Sequence, residues 1–83
     1  MSKLIGHSVR VRLNEVTQLP SAFWWKGNQQ RVSGLLHFWK ESPAWWEGEG
    51  ERLHYNVVTE RGGFYELVFD AASQAWELAR CFD

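Results

Sequence analysis

Two pairs of adjacent tryptophans have the residue types and spacing best suited to binding chemistry in this sequence. Trp24–Trp25 and Trp45–Trp46 each open the pattern W-W-x-G-x-x-x-R, and the first copy also contains Lys26 and ends at Arg31. Indole rings stack on nucleic-acid bases, and cations beside them attract phosphates. Trp and Arg also dominate the energetics of protein–protein interfaces. The pattern therefore indicates a surface for either single-stranded nucleic acid or another protein.

Strand geometry predicts that the two members of each tryptophan pair point to opposite faces, because successive side chains alternate along a strand. One tryptophan of each pair should pack in the core, and the other should reach the surface. Its basic neighbours there would be Lys26, Arg31, Arg10 or Arg12. Both copies are typical of a strand end, a glycine turn and a returning strand, which predicts two similar hairpin corners. The alternative is that all six tryptophans only fill the two faces of a thin β-fold.

Patterns for catalysis and metal binding are weak in this chain. The histidines His7, His37 and His54 form neither an H-x-x-H nor an H-E-x-x-H motif. Cys81 is the single cysteine, so a C-x-x-C zinc site and a disulfide within the chain are both excluded. Gly62–Gly63 lacks the Lys-Ser/Thr sequence that follows in a phosphate-binding loop. We therefore predict that the protein is not an enzyme and has no catalytic residues, metal or cofactor.

The elements that position these side chains are predicted to be strands. Alternation over Leu53–Val57 and Tyr65–Phe69 flanks the turn Glu60–Gly63, where glycine accepts the positive φ of a tight hairpin. Val9–Leu13 alternates apolar and basic residues, which is typical of a half-buried strand. These segments predict antiparallel pairing.

Two segments fit a helix and a strand equally well. Apolar residues over Val32–Trp39 have helical spacing, but a long strand with a bulge near Gly34 gives the same pattern. Ala71–Phe82 has helix-forming composition, whereas Trp76 and Phe82 share the parity of a strand. We predict a strand for both segments.

Composition limits the chain to one small folded domain. Its 83 residues are 16% aromatic, which excludes intrinsic disorder, and no apolar run approaches the roughly 20 residues of a membrane helix. The net charge of −1 combines +5 over residues 1–40 with −6 over residues 41–83. These halves either pair across the fold or present opposite faces to partners. Near-neutrality argues against nucleic-acid binding by bulk charge, and the single cysteine predicts a cytoplasmic location.

We predict a single all-β domain over residues 1–83, built as a strongly bent antiparallel sheet or a small open barrel of five or six strands. Its core should bury the apolar side chains that share strand parity. The predicted core residues are Val11, Leu13, Val32, Leu36, Leu53, Tyr55, Val57, Leu67, Phe69, Trp76 and Leu78.

From Phe23 onward the motifs resemble those of a small bacterial family of uncharacterised domains. The residues that carry the resemblance are Val32, Leu35 or Leu36, Trp39, Trp45–Glu49, His54–Val58, Gly63–Leu67 and Trp76–Asp83. Residues 1–22 lie outside it. Members of this family occur alone or next to proteins resembling error-prone Y-family DNA polymerases. The resemblance implies a role in DNA repair and provides no catalytic residues.

The predicted function is a non-catalytic accessory or binding module associated with DNA repair. It would contact a protein partner, such as a Y-family polymerase-like protein, through an exposed aromatic surface. Self-association through that surface is compatible with this function, and membrane contact is not expected. The alternative is single-stranded nucleic-acid binding by tryptophan stacking with basic neighbours. The predicted binding residues are Trp24, Trp25, Lys26, Arg31, Trp45 and Trp46.

Overall fold

The described part of the chain is built from β-strands and contains no α-helix. The computed structural model describes residues 2–42, 46 and 50–82. Its strands are β1 (Ser2–Ser8), β2 (Arg10–Leu13), β3 (Pro20–Trp25), β4 (Asn28–Glu41), β5 (Arg52–Thr59), β6 (Phe64–Asp70) and β7 (Ala75–Phe82). The all-β prediction is confirmed, but there are seven strands instead of five or six. The additional strand is β1, which is not evident from the sequence because Gly6 interrupts any alternation of apolar and polar residues.

All seven strands belong to one antiparallel sheet that curls into a half-barrel, in the order β1-β7-β6-β5-β4-β3-β2. The two outermost strands are consecutive in sequence, and only Val9 separates them. The Val9 N–H donates a hydrogen bond to the Trp76 carbonyl at 3.1 Å. Gly6 has a φ of 66°, and the register of β1 shifts between Leu4 and His7. The N-terminal segment therefore bends from β7 across to β3.

The core lies on the inner, concave face of this sheet. Its fully or nearly buried members are Phe23, Tyr55, Val57, Leu67 and Leu78, and the half-buried residues packed on them are Ile5, Val9, Val11, Trp25, Val32, Leu53, Tyr65, Phe69 and Trp76. The predicted core is confirmed except at two positions. Leu13 is 37% exposed at a register shift that ends β2, and Leu36 is 59% exposed.

Two β-bulges in β4 explain why its sequence also fits a helix. The register with β5 shifts between Val32 and Gly34 and again between Leu35 and His37. Each extra residue reverses the parity of the strand, so Val32, Leu35 and Phe38 lie on the same face with helix-like spacing of three. The predicted strand with a bulge near Gly34 is confirmed. Leu36 lies within the second irregularity, which explains its exposure.

The last three strands follow the predicted pairing closely. In the β5–β6 hairpin, Tyr55 pairs with Leu67 and Val57 pairs with Tyr65. The segment predicted as either helix or strand forms β7, whose register with β6 shifts between Glu66 and Leu67. Unbroken alternation predicts that Trp76 and Phe82 point to the same face of the sheet. Because of the shift, they point to opposite faces.

Candidate functional site

The first W-W-x-G-x-x-x-R copy forms the tight hairpin between β3 and β4. Trp25 pairs with Asn28, which leaves Lys26 and Gly27 as the two turn residues. Lys26 has a φ of 51° and Gly27 a φ of 76°. Positive φ at both central residues is the geometry of a type I′ turn, whose twist matches that of the flanking strands. The predicted hairpin corner is confirmed for this copy.

Trp24 and Trp25 point to opposite faces of β3, as the alternation predicts. Trp25 is on the same face as the fully buried Phe23 and packs against the core. The His7 ring contacts the Trp25 ring edge-on, with 5.4 Å between their centroids. The Lys26 Nζ lies 5.6 Å from the Trp25 ring centroid. Trp25 is therefore half-buried, with one cation beside it.

Trp24 lies on the outer face, where two arginines of β2 contact its ring. Arg10 is directly opposite Trp24 in the β2–β3 register, and its Cζ lies 4.6 Å from the ring centroid. The Cζ of Arg12 lies 5.6 Å from the same centroid. These distances are typical of cation–π contacts, which favour the guanidinium–indole pair by about 0.5–1 kcal/mol at exposed sites. Both arginines are exposed, and Trp24 beneath them is half-buried.

Cross-strand rows extend this cluster from β2 to β4. In one row Ala22 stands between Arg12 and Arg31, and in the next row Trp24 stands between Arg10 and Gln29. Ala22 is buried, so its small side chain forms the floor between two arginines. We call the outer-face group Arg10, Arg12, Ala22, Trp24, Gln29 and Arg31 the basic face.

The cations of the basic face have no carboxylate partner in the described part of the chain. Across residues 2–42, 46 and 50–82, no carboxylate oxygen lies within 4 Å of the charged nitrogens of Arg10, Arg12 or Arg31. The same holds for Lys26 at the adjoining turn. Their positive charge is therefore available to an external anion.

The second tryptophan pair belongs to a different kind of connection. Glu41 pairs with Arg52, so β4 and β5 are joined through residues 42–51 rather than by a two-residue turn. The prediction of two similar hairpin corners is therefore wrong. Trp45 lies outside the described residues, and Trp46 is 70% exposed. Trp24 pairs with the first residues of β4, whereas Trp46 follows its last ones. In the sequence, strand β4 therefore lies between the two tryptophan pairs.

A second cluster on the outer face, which the sequence did not predict, is centred on His54. The Nδ1 of His54 lies 3.2 Å from Glu66 Oε2, and its Nε2 lies 3.1 Å from Glu41 Oε1. The Trp39 ring stacks on the imidazole at 4.6 Å and an angle of 7°. Glu66 is only 8% exposed. The one sequence signal for this His54 cluster is that His54 has the parity opposite to the core residues of β5.

The His54 cluster has the features of a packing network. Each ring nitrogen of His54 lies within hydrogen-bond distance of one carboxylate, so the imidazole bridges Glu41 of β4 and Glu66 of β6. No group of three or more His, Cys, Asp or Glu side chains suited to a metal ion occurs in the described residues. On the opposite, inner face of β5, burial raises the pKa of the Tyr55 phenol above its usual value.

Comparisons with known proteins identify a family without an assigned activity. In the part of the chain that the structure describes, no helix is both long and apolar enough to cross a membrane. No curated protein and no solved structure matches the chain significantly. A family model described as a domain of unknown function, DUF6504, matches residues 1–83, and this range includes Arg10 and Arg12. The chain therefore belongs to the DUF6504 family.

Proposed function

We propose that this protein is a non-catalytic binding module that holds single-stranded nucleic acid on the basic face. The observation that carries the proposal is the contact of Arg10 and Arg12 with Trp24, where neither guanidinium has a carboxylate partner in the described residues. An aromatic ring among unpaired cations is the chemistry by which proteins bind single strands.

The contact with Trp24 keeps both guanidinium groups beside the ring, where they are the first groups that a strand meets. Bases stack on guanidinium planes as well as on aromatic rings, so Arg10 either joins the stack or turns to the flanking phosphate and leaves the indole to the base. Arg31 completes the row across Ala22, so phosphates can be contacted on either side of the indole. Stacking of one base on an aromatic side chain contributes about 1–3 kcal/mol. The basic face thus combines the two interactions that a single strand requires.

The distribution of acids supports this proposal despite the net charge of −1. Glu41 and Glu66 are both engaged with His54, at a distance from the basic face along the sheet. The cross-strand neighbours of Trp24 are Arg10 and Gln29, and neither is acidic. An approaching phosphate therefore meets a locally positive field, which attracts it at distances shorter than the Debye length of about 8–10 Å.

The second candidate function is contact with a protein partner, and exposed apolar side chains on β4 favour it. Leu35, Leu36 and Phe38 are all exposed. Among the described strands, β4 beyond its pairing with β3 has a neighbour only on the β5 side. An apolar strand with an open edge can accept another strand. A Y-family polymerase-like partner, or a second copy of this chain, would dock there.

Both candidate functions fit the DNA-repair context implied by the resemblance of the motifs. A module that holds single-stranded DNA near a polymerase-like protein would keep the template accessible. We place this role in the cytoplasm, in keeping with the single cysteine.

Quenching of tryptophan fluorescence by oligothymidylate tests the proposed function. Three or four phosphate contacts predict that the affinity falls about 20- to 50-fold between about 50 and 200 mM salt. The double variant R10Q/R12Q should lose most of the affinity at low salt. The matched control R80Q removes an exposed cation from β7 and should bind like the wild type.

Three outcomes decide between the candidate functions. Absence of quenching at low salt and high oligonucleotide concentration would contradict nucleic-acid binding. Equal losses in R10Q/R12Q and R80Q would contradict the assignment to the basic face. The substitution Leu36→Asp should abolish capture of a polymerase-like protein or self-association on a sizing column, and it should leave oligonucleotide affinity unchanged.

A further inference from the structure

We propose that the cleft between the β3–β4 and β5–β6 turns is a phosphodiester-binding subsite. Its volume is about 370 Å³, and Asn28, Gln29, Arg31, Glu60 and Arg61 line it. The inference rests on the proposed function, because it names where the backbone of a single strand bound at Trp24 continues. Neither Glu60 nor Arg61 belongs to the basic face, so the cleft adds a second group of ligand contacts.

The fold brings the two arginines of the cleft together from distant parts of the sequence. The Glu60 N–H donates a hydrogen bond to the Arg31 carbonyl at 2.9 Å, which ties the β5–β6 turn to β4. Within that turn, the Thr59 N–H donates to the Gly63 carbonyl and the Gly62 N–H donates to the Thr59 carbonyl, both at 2.9 Å. Gly62 adopts a φ of 86°, which glycine accepts without strain. Arg61 is therefore held beside Arg31 by a hydrogen-bonded turn.

The cleft offers donors that match the oxygens of a phosphate. Guanidinium groups donate two parallel N–H bonds to phosphate oxygens, which gives directional as well as electrostatic attraction. In the described part of the chain, the side chains of Arg31, Arg61 and Gln29 form no hydrogen bond or ion pair. Asn28 uses its amide nitrogen in a 3.4 Å contact to the Lys26 carbonyl. Three side chains thus remain available to the ligand.

The cleft is continuous with the basic face through two shared residues. Gln29 pairs with Trp24 across β3 and β4, and Arg31 pairs with Ala22 in the next row. Both residues also line the cleft. When a base is bound at Trp24, the phosphate next to it therefore lies on the outer face, beside the cleft.

The position of the cleft favours an internal phosphate of a single strand over a free phosphate. Two arginines and one glutamate give the lining a formal charge of only +1, so the cleft alone attracts any phosphate weakly. A phosphate of a strand whose base is held at Trp24 is tethered beside the cleft through the shared residues Gln29 and Arg31, which raises its effective concentration there. The ligand class is therefore the phosphodiester of a bound strand.

The test compares R61Q and E60Q in salt titrations with oligothymidylate and with an abasic deoxyribose-phosphate oligomer. R61Q should lower the slope of log affinity against log salt by about 0.7, the value for one phosphate contact to a single strand. It should leave the quenching amplitude at saturation unchanged, because Trp24 still stacks. E60Q should raise the affinity for both oligomers, since it removes the opposing charge. R80Q is the matched control and should behave like the wild type.

The outcomes separate this inference from the proposed function. A wild-type salt slope in R61Q, or weaker binding by E60Q, would contradict the phosphodiester-binding subsite and would not affect the proposed stacking at Trp24. If the wild type shows no quenching, the proposed function fails, and the subsite is then tested with the abasic oligomer alone. Changes in the amide chemical shifts of Arg31 and Arg61 on its addition would support phosphate binding in the cleft, and unchanged shifts would contradict it. Competition by inorganic phosphate equal to that of the abasic oligomer, per phosphate, would overturn the preference for a diester.

Discussion

On the outer face of the sheet, the contact of Arg10 with Trp24 and the contact of His54 with Trp39 differ in what surrounds them. Arg10 lies 4.6 Å from the Trp24 ring centroid, and the His54 ring lies 4.6 Å from that of Trp39. His54 has a carboxylate at each ring nitrogen, whereas Arg10 has none within 4 Å in the described residues. The protein itself therefore provides the carboxylate partners of His54, whereas the described residues provide none for Arg10.

The difference follows from which strands are neighbours. His54 lies on β5 between β4 and β6, and each of those strands contributes one acid to it. Trp24 lies on β3 between β2 and the start of β4, which contribute basic and uncharged residues. Among the described residues, no carboxylate therefore neutralises the positive charge around Trp24. The proposed division is that the internally satisfied His54 cluster serves stability and that the basic face serves binding.

The largest expected effect is loss of stability in His54→Ala. This change leaves the buried Glu66 carboxylate without its partner, which costs about 1–3 kcal/mol. The control Glu41→Gln affects a carboxylate that is 54% exposed and should cost less than about 1 kcal/mol. Urea unfolding measures both variants. Equal free energies of unfolding for the two variants would show that the His54 cluster contributes no more than a surface contact.

A smaller effect is expected from Gly27→Ala, which perturbs the β3–β4 turn near Trp24 and leaves the His54 cluster unchanged. No atom lies within 4 Å of an added Cβ, so the cost of about 1 kcal/mol comes from the positive φ alone. Gly27→Asn should recover part of it, because Asn tolerates this conformation. Thermal unfolding and ¹H–¹⁵N spectra check the result. Resonance shifts should be confined to the β3–β4 corner, and comparable shifts at His54 would contradict the separation of the two regions.

The smallest expected effect is on the stability of Arg10→Gln. Arg10 is exposed, and within the described residues its side chain has only the cation–π contact with Trp24 to lose, so the free energy of unfolding should fall by less than about 1 kcal/mol. The same variant should weaken oligonucleotide binding. A destabilisation as large as that of His54→Ala, measured by urea unfolding, would mean that the basic face also serves stability.

Sequence reasoning succeeded where structure depends on near neighbours. The β5–β6 hairpin follows from alternation around a glycine turn, and the opposite orientations of Trp24 and Trp25 follow from strand geometry alone. The alternating Arg10 and Arg12 also indicated which cations stand beside the indole. These features need no knowledge of how distant strands pair.

The features that were missed depend on long-range register. The contact of His54 with Glu41 depends on the two bulges of β4, because together they shift the β4–β5 register and bring Glu41 opposite Arg52. The exposure of Leu36 has the same origin. Strand β1 was missed because its partner β7 lies at the other end of the chain and Gly6 breaks its pattern. Bulges and distant pairings leave little trace in local periodicity.

The position of Val9 between the two outermost strands has a consequence for the order of folding. During synthesis β2 meets its partner β3 within a few residues, so the strands that carry the basic face can assemble early. Strand β1 directly precedes β2 but must wait for β7, the last strand of the chain. A pairing between such distant segments carries a high loop-closure entropy and forms slowly. One continuous segment thus contributes both to the earliest pairing and to the last, with Val9 as the boundary.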